Sequence, residues 1–190
     1  MGTFGLLGSQ EAAYARRRKR RKPIFKAAVL GVNVPGPANG SSGFAASQRV
    51  AQTFKNLRSG LLKHVQVEMG PLGDEDPGNY VIQINQADSS SVPTNTVLGS
   101  TRILDASIPF DANSPVLVGG LSVPVEANQT YALVITRPAS SGFFVRHRWP
   151  SAYADGRMYS SLSPTSSFVQ YIAQGSSEHD LVFSIFVTSS

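Results

Sequence analysis

From Phe44 onward, apolar and polar residues of this 190-residue chain alternate with a period of two, the spacing at which successive side chains of a β-strand leave opposite faces. In KHVQVEM, Val65, Val67 and Met69 share one face, and PLGDEDPGN follows with turn chemistry. YVIQIN groups Tyr80, Ile82 and Ile84 ahead of the loop QADSSSVPTN. TVLGSTRIL, PVLVGGLSVPV, YALVITR, FFVRHRW, FVQYI and DLVFSIFV continue the series, each bounded by Ser, Gly, Pro, Asn or Asp. With no helical period between them, these runs predict an all-β fold, an antiparallel β-sandwich (jelly roll) of about eight or nine strands. YALVI and DLVFSIFV are apolar on both faces, which predicts central strands buried on both sides or covered edges.

The first 45 residues follow another rule. Ser9 is placed to cap a helix through Gln10, Glu11, Ala12, Ala13, Tyr14 and Ala15 into the basic block Arg16, Arg17, Arg18, Lys19, Arg20, Arg21 and Lys22, with Pro23 as terminator. Seven adjacent like charges repel, so that helix is conditional on an anionic or protein partner. VNVPGPANGSSG, from Val32 to Gly43, reads as a linker or extended arm. The division is a basic N-terminal arm and linker, partly helical, over 1–45, and a sandwich domain over 46–190.

The charge follows that division. Residues 1–45 hold eight Lys/Arg against one Glu, and the remainder hold nine against eleven Asp/Glu, so the net +5 is an arm of +7 on a body of −2. The high pI therefore belongs to one local feature, and the body shows no basic surface. Cysteine is absent, which removes disulfides, thiolate nucleophiles and Cys-based metal sites. No apolar stretch approaches the roughly 18 residues of a membrane span.

From Arg49 to Thr188 the order of features resembles bacterial and phage β-sandwich modules of the carbohydrate-binding-like or "choice-of-anchor" surface-protein type. The resemblance runs through VAQTFKN, YVIQINQADSSSVPTNTVLGS, LSVPVEANQTYALVIT, RHRWPSAYADGRMYSS and HDLVFSIFVT, with Asn128 and Asp155 standing where Gly is commoner. These are mostly packing and turn positions, so the resemblance implies a fold more than a ligand. It covers nothing of residues 1–45.

No catalytic set emerges, and a non-enzymatic protein without cofactor is expected. His64, His147 and His179 lie in different strands or turns, and no nucleophile elbow, zinc motif, phosphate loop or dinucleotide fingerprint is present. Asp74, Glu75 and Asp76 offer clustered oxygens for Ca²⁺, with a solvated hairpin turn as the preferred reading. Trp149, Tyr153, Tyr159, Arg146 and Arg148 make a candidate sugar-stacking surface. Against that, Phe143, Val145 and Trp149 share one parity, which favours a core-facing Trp149.

The expectation is a structural protein of a virion, a tailed-phage-like head decoration, tail or fibre-adaptor component. Its arm, residues 1–45, would dock on neighbouring subunits, its body would face outward as a homo-oligomer within the assembly, and a host-surface glycan would be a further partner. Two alternatives stay open: a secreted or surface carbohydrate-binding module, and a jelly-roll capsid protein whose block Arg16–Lys22 contacts packaged nucleic acid.

Overall fold

The computed structural model describes residues 28–34, 38–72, 78–108, 115–138, 142–151, 153–172 and 178–189. The basic block, the helix expected around it and the Ca²⁺ candidates Asp74, Glu75 and Asp76 lie outside them. The described residues form an antiparallel all-β sandwich of β1 (Val29–Asn33), β2 (Gly40–Phe44), β3 (Arg49–Lys55), β4 (Gly60–Val67), β5 (Met69–Pro71), β6 (Asn79–Ala87), β7 (Pro93–Leu104), β8 (Val116–Val118), β9 (Val123–Val125), β10 (Thr130–Thr136), β11 (Phe143–Arg148), β12 (Met158–Ser161), β13 (Val169–Gln170), β14 (Asp180–Leu181) and β15 (Phe183–Thr188).

One layer is a six-stranded sheet in the order β13-β12-β3-β10-β6-β7. The facing layer pairs β1-β15-β4-β8, with β9 also on β4, and carries β14-β11-β2, with β5 also on β11. These two parts meet at a fork. β4 and β15 pair as far as Val67↔Phe183 and then part, and β11 enters between them, Val145 opposite Met69 and His147 opposite Leu181. At the branch the Arg146 amide donates to the Glu68 carbonyl at 2.9 Å and the Val182 amide to the Arg146 carbonyl at 3.2 Å. The fork splits two runs that the alternation reads as single strands, which is one reason the strand count exceeds the expectation.

The other reason lies in the segment 32–43. Expected as a linker or extended arm, it supplies much of two strands instead: β1 pairs with β15 from Val29↔Val187 to Asn33↔Ser184, and β2 pairs with β11 from Gly40↔His147 to Phe44↔Phe143. Its Gly, Ser and Asn content weakens the strand signal without preventing pairing, since ladder bonds use only the backbone.

The core fills the space between the layers. Val50 and Phe54 of β3, Leu133 and Ile135 of β10 and Tyr80, Ile82 and Ile84 of β6 face Val65, Val67, Met69, Phe143, Val145, Phe183 and Ile185 across it. Each such large side chain contributes about 1.5–3 kcal/mol by leaving water. β10 is buried on both faces, as its sequence predicts, because a second cluster of Ala51, Ala132, Val134, Tyr159 and Phe168 covers its outer side. Arg49 pins that cover: its guanidinium donates to Asn95 Oδ1 at 2.8 Å, Ser161 Oγ at 3.1 Å and the Ser166 carbonyl at 2.6 Å, and lies 4.3 Å from the Phe168 ring centre. β15 departs from its expectation. It is central in its sheet, yet Ser184, Phe186 and Thr188 on its outer face are only half-buried.

Candidate ligand-binding cleft

The outer face of the six-stranded sheet, beside the second cluster, carries a cleft of about 500 Å³. Its floor is Thr53 and Lys55 of β3, Thr130 of β10 and Tyr159 of β12; its walls are Ser90 and Ser91, Asn128, and the segment 154–157. The charge in it comes from Lys55, Asp155 and Arg157.

Local geometry explains each wall. Asp88 Oδ1 accepts from the Ser90 amide at 2.8 Å and the Val92 amide at 2.9 Å, folding a tight turn in which Ser91 takes a left-handed φ of 62°. The Tyr159 hydroxyl donates to the Ser91 carbonyl at 3.3 Å and ties that turn to the floor. Asn128, at φ 65°, heads the turn into β10, where its amide donates to the Asn56 carbonyl at 2.7 Å; Asn tolerates that backbone better than most residues.

The third wall hangs on β3. The Thr53 amide donates to the Arg157 carbonyl at 3.0 Å, and the Arg157 amide to Thr53 Oγ1 at 2.9 Å. Gly156 is required there, because a Cβ would stand 1.9 Å from the Thr53 carbonyl oxygen. The Arg157 guanidinium is committed on several sides: Nε lies 3.0 Å from Glu178 Oε1, and Nη1 donates to the Gly156 carbonyl at 2.6 Å. Among the described residues no carboxylate or other acceptor holds the Lys55 ammonium. Lys55 is fixed through its backbone instead, its amide donating to the Tyr153 hydroxyl at 2.9 Å and that hydroxyl donating to its carbonyl at 3.3 Å. Burial pushes the Tyr153 hydroxyl up to about 12, against the opposing pull of that Lys55 contact, so it stays neutral.

A second polar assembly is interior. His147 and His179, nearly inaccessible at 4% and 5% exposure, bring their Nδ1 atoms to 3.0 Å, and His147 Nε2 lies 2.9 Å from Ser42 Oγ. The Tyr171 hydroxyl donates to Ser42 Oγ at 2.8 Å. One directional chain satisfies every contact: Tyr171 to Ser42, Ser42 to His147 Nε2, His147 Nδ1–H to His179 Nδ1. Burial first, then the neighbouring His179, lowers His147 to about 4, although the Ser41 backbone pulls the other way; burial also lowers His179, against Asp180. The serine, histidine, histidine order has the outline of a nucleophile and base, but Ser42 is buried, its oxygen is already occupied by Tyr171, and it borders no described cleft. Asp180, adjoining His179 in the chain, is fully buried and accepts from Gln52 Nε2 at 3.1 Å, Ser151 Oγ at 2.7 Å and the Tyr153 amide at 2.8 Å.

The candidates named from sequence do not form one surface. Arg146 and Arg148 are half-buried and point away from the core on β11, whereas Tyr159 lies on the outer face of the opposite layer. Tyr153 packs edge-on against Phe183 at 6.2 Å. Trp149 is 47% exposed, contrary to the core position its parity suggests, because β11 ends at Arg148 and the alternation ends with it. Its backbone is held outside by Asn39, whose side chain donates to the Trp149 carbonyl at 2.5 Å and accepts from its amide at 2.9 Å. The sequence does not mark Lys55, Asn128, Asp155 and Arg157 as ligand residues, because they are scattered over three segments of the chain. The available signal was Asn128 and Asp155 standing where the resemblance has Gly.

No family model matches the chain, and no curated protein matches it. Among solved structures it is similar to an alanine variant of the clostridial cysteine protease Cwp84 after propeptide cleavage, with 15% identity and a TM-score of 0.54. The match covers 78% of this chain and 38% of the protease, so the chain spans well under half of that protein's length. At that identity the likeness shows a shared fold alone. This chain contains no cysteine, and a cysteine nucleophile is therefore not among its residues.

Proposed function

We propose that this chain is a non-enzymatic recognition and attachment subunit, of the kind that a virion or another surface particle displays. Arg16–Lys22 serves as the tether to neighbouring subunits, and the sandwich presents the cleft over Lys55, Asn128 and Asp155 to a hydroxyl-rich ligand such as a host-surface glycan. The cleft itself carries the reading. It is a concave, polar site of about 500 Å³ in which donors and acceptors of both charge signs converge from three loops and a rigid sheet. The Ser42–His147–His179 chain is buried and Ser42 Oγ is held by Tyr171, which argues against that trio as a nucleophilic site. A glycan array probed with the full chain tests the reading. Binding that falls when Asp155 is replaced by Ala, in a variant with unchanged melting temperature, supports it; no binding by the folded chain across the array removes it.

A further inference from the structure

The charged groups of the cleft also bear on the kind of glycan. Lys55 is the one cation of the site whose charge no described residue answers, since Arg157 is already engaged by Glu178 and by the Gly156 carbonyl. Among the described residues the lining holds no exposed aromatic plate. Tyr159 is 7% exposed and its hydroxyl is committed to the Ser91 carbonyl, so the described lining offers no ring for the stacking that commonly holds a neutral pyranose. Asp155 is exposed at the same cleft, and its negative charge opposes a bare phosphate or a polyanion while accepting hydrogen bonds from sugar hydroxyls.

We propose, resting on the recognition reading above, that the cleft selects a saccharide bearing a carboxylate, with the carboxylate on the Lys55 ammonium and ring hydroxyls on Asp155 and the Asn128 side chain. A sugar acid is the ligand class that answers both charges at once, neither of which has an ion-pair partner among the described residues: it carries one anion for the lysine and several donors for the aspartate. Among the described residues no group of three or more His, Cys, Asp or Glu side chains gathers to hold a metal ion.

The test is calorimetric titration of the full chain with 3′-sialyllactose and with lactose, which differ by a carboxylated sugar. Binding of the acidic ligand should be at least about tenfold tighter. Because Arg16–Lys22 attracts any anion, the decisive arm is Lys55→Met in the full chain, which leaves that block intact and should reduce affinity for 3′-sialyllactose about tenfold or more; Lys55→Arg should restore part of it. Asn128→Asp, isosteric and tolerant of the left-handed backbone, should also weaken the acidic ligand by adding a like charge. Should Lys55→Met prove unfolded by circular dichroism, Asn128→Asp and Lys55→Arg decide the matter. Equal affinity for both sugars, lost in Asp155→Ala, would leave the recognition reading standing and overturn the acidic specificity. Preference for the acidic sugar that survives Lys55→Met and Asn128→Asp would place binding on the arm and also overturn it. Binding of neither sugar overturns the acidic specificity, and the array result then decides whether the recognition reading falls with it.

Discussion

Lowering the pH from 7.5 to 4.5 should destabilise this protein through the buried histidine pair, over and above the usual effect of its carboxylates. His147 has a folded pKa of about 4, against an ordinary value of 6.5. A group whose folded pKa is depressed binds more protons when unfolded, so its contribution to stability is complete above about pH 6.5, declines as pH falls, and is lost below about pH 4. A shift of that size sets a ceiling of roughly 3 kcal/mol at about 1.4 kcal/mol per unit; at pH 4.5, with allowance for solvent screening at the edge of the site, about 2 kcal/mol is expected. His179 shifts in the same direction, and two protonated rings would face each other across the 3.0 Å Nδ1 contact. Asp180 and the Ser41 carbonyl work against the loss, and Arg146 adds to it. The assay is urea denaturation at pH 7.5, 6.5, 5.5 and 4.5 for the natural chain and for His147→Gln, whose neutral amide cannot titrate. The difference between the two should shrink by about 2 kcal/mol from pH 7.5 to pH 4.5, the carboxylates cancelling in the subtraction. A difference that stays constant with pH would refute the claim that the pair is held neutral by burial.

Other outcomes follow from single contacts. Asp180→Asn removes one of the two acceptor oxygens that hold Gln52, Ser151 and Tyr153, and should cost about 2–4 kcal/mol in the same denaturation assay. Phe54→Ala, at a fully buried site facing Tyr131 and Phe183, should cost about 3–5 kcal/mol. Gly156→Ala should displace the third wall of the cleft from Thr53, reducing saccharide affinity more than stability when both are measured on one sample. Trp149 is the only tryptophan, so its fluorescence is a clean reporter: emission should be that of a half-exposed indole, Asn39→Ala should raise its quenching by acrylamide, and saccharide binding in the cleft should leave it unchanged.

Period-two alternation was enough to read the sandwich because burial in a two-layer fold acts on one face of each strand. Val65, Val67 and Met69, and Tyr80, Ile82 and Ile84, are all buried as that rule requires. The rule fails where a strand stops or branches. Trp149 keeps the parity of Phe143 and Val145 but lies one residue past the end of β11, and nothing in the local pattern announces the Asn39 clamp, which acts across 110 positions. The fork at Glu68, Arg146 and Val182 is a tertiary event of the same kind. β1 and β2 were hidden because Gly, Ser, Asn and Pro mark loops statistically, while ladder pairing depends on partners supplied from the far end of the chain. The cleft was the least legible feature, since Lys55, Asn128 and Asp155 come from separate elements and each alone is an ordinary surface residue. His147 and His179 likewise meet only through the pairing of β11 with β14.

The central claim, that this sandwich receives its ligand in the cleft over β3, is tested most directly by amide chemical-shift mapping of the full chain titrated with 3′-sialyllactose. The account predicts saturable shifts confined to Thr53 and Lys55, the turns at 88–92 and 127–130, and the segment 153–157. Shifts centred on Arg146, Arg148 and Trp149, or confined to the basic residues before Pro23, would contradict it.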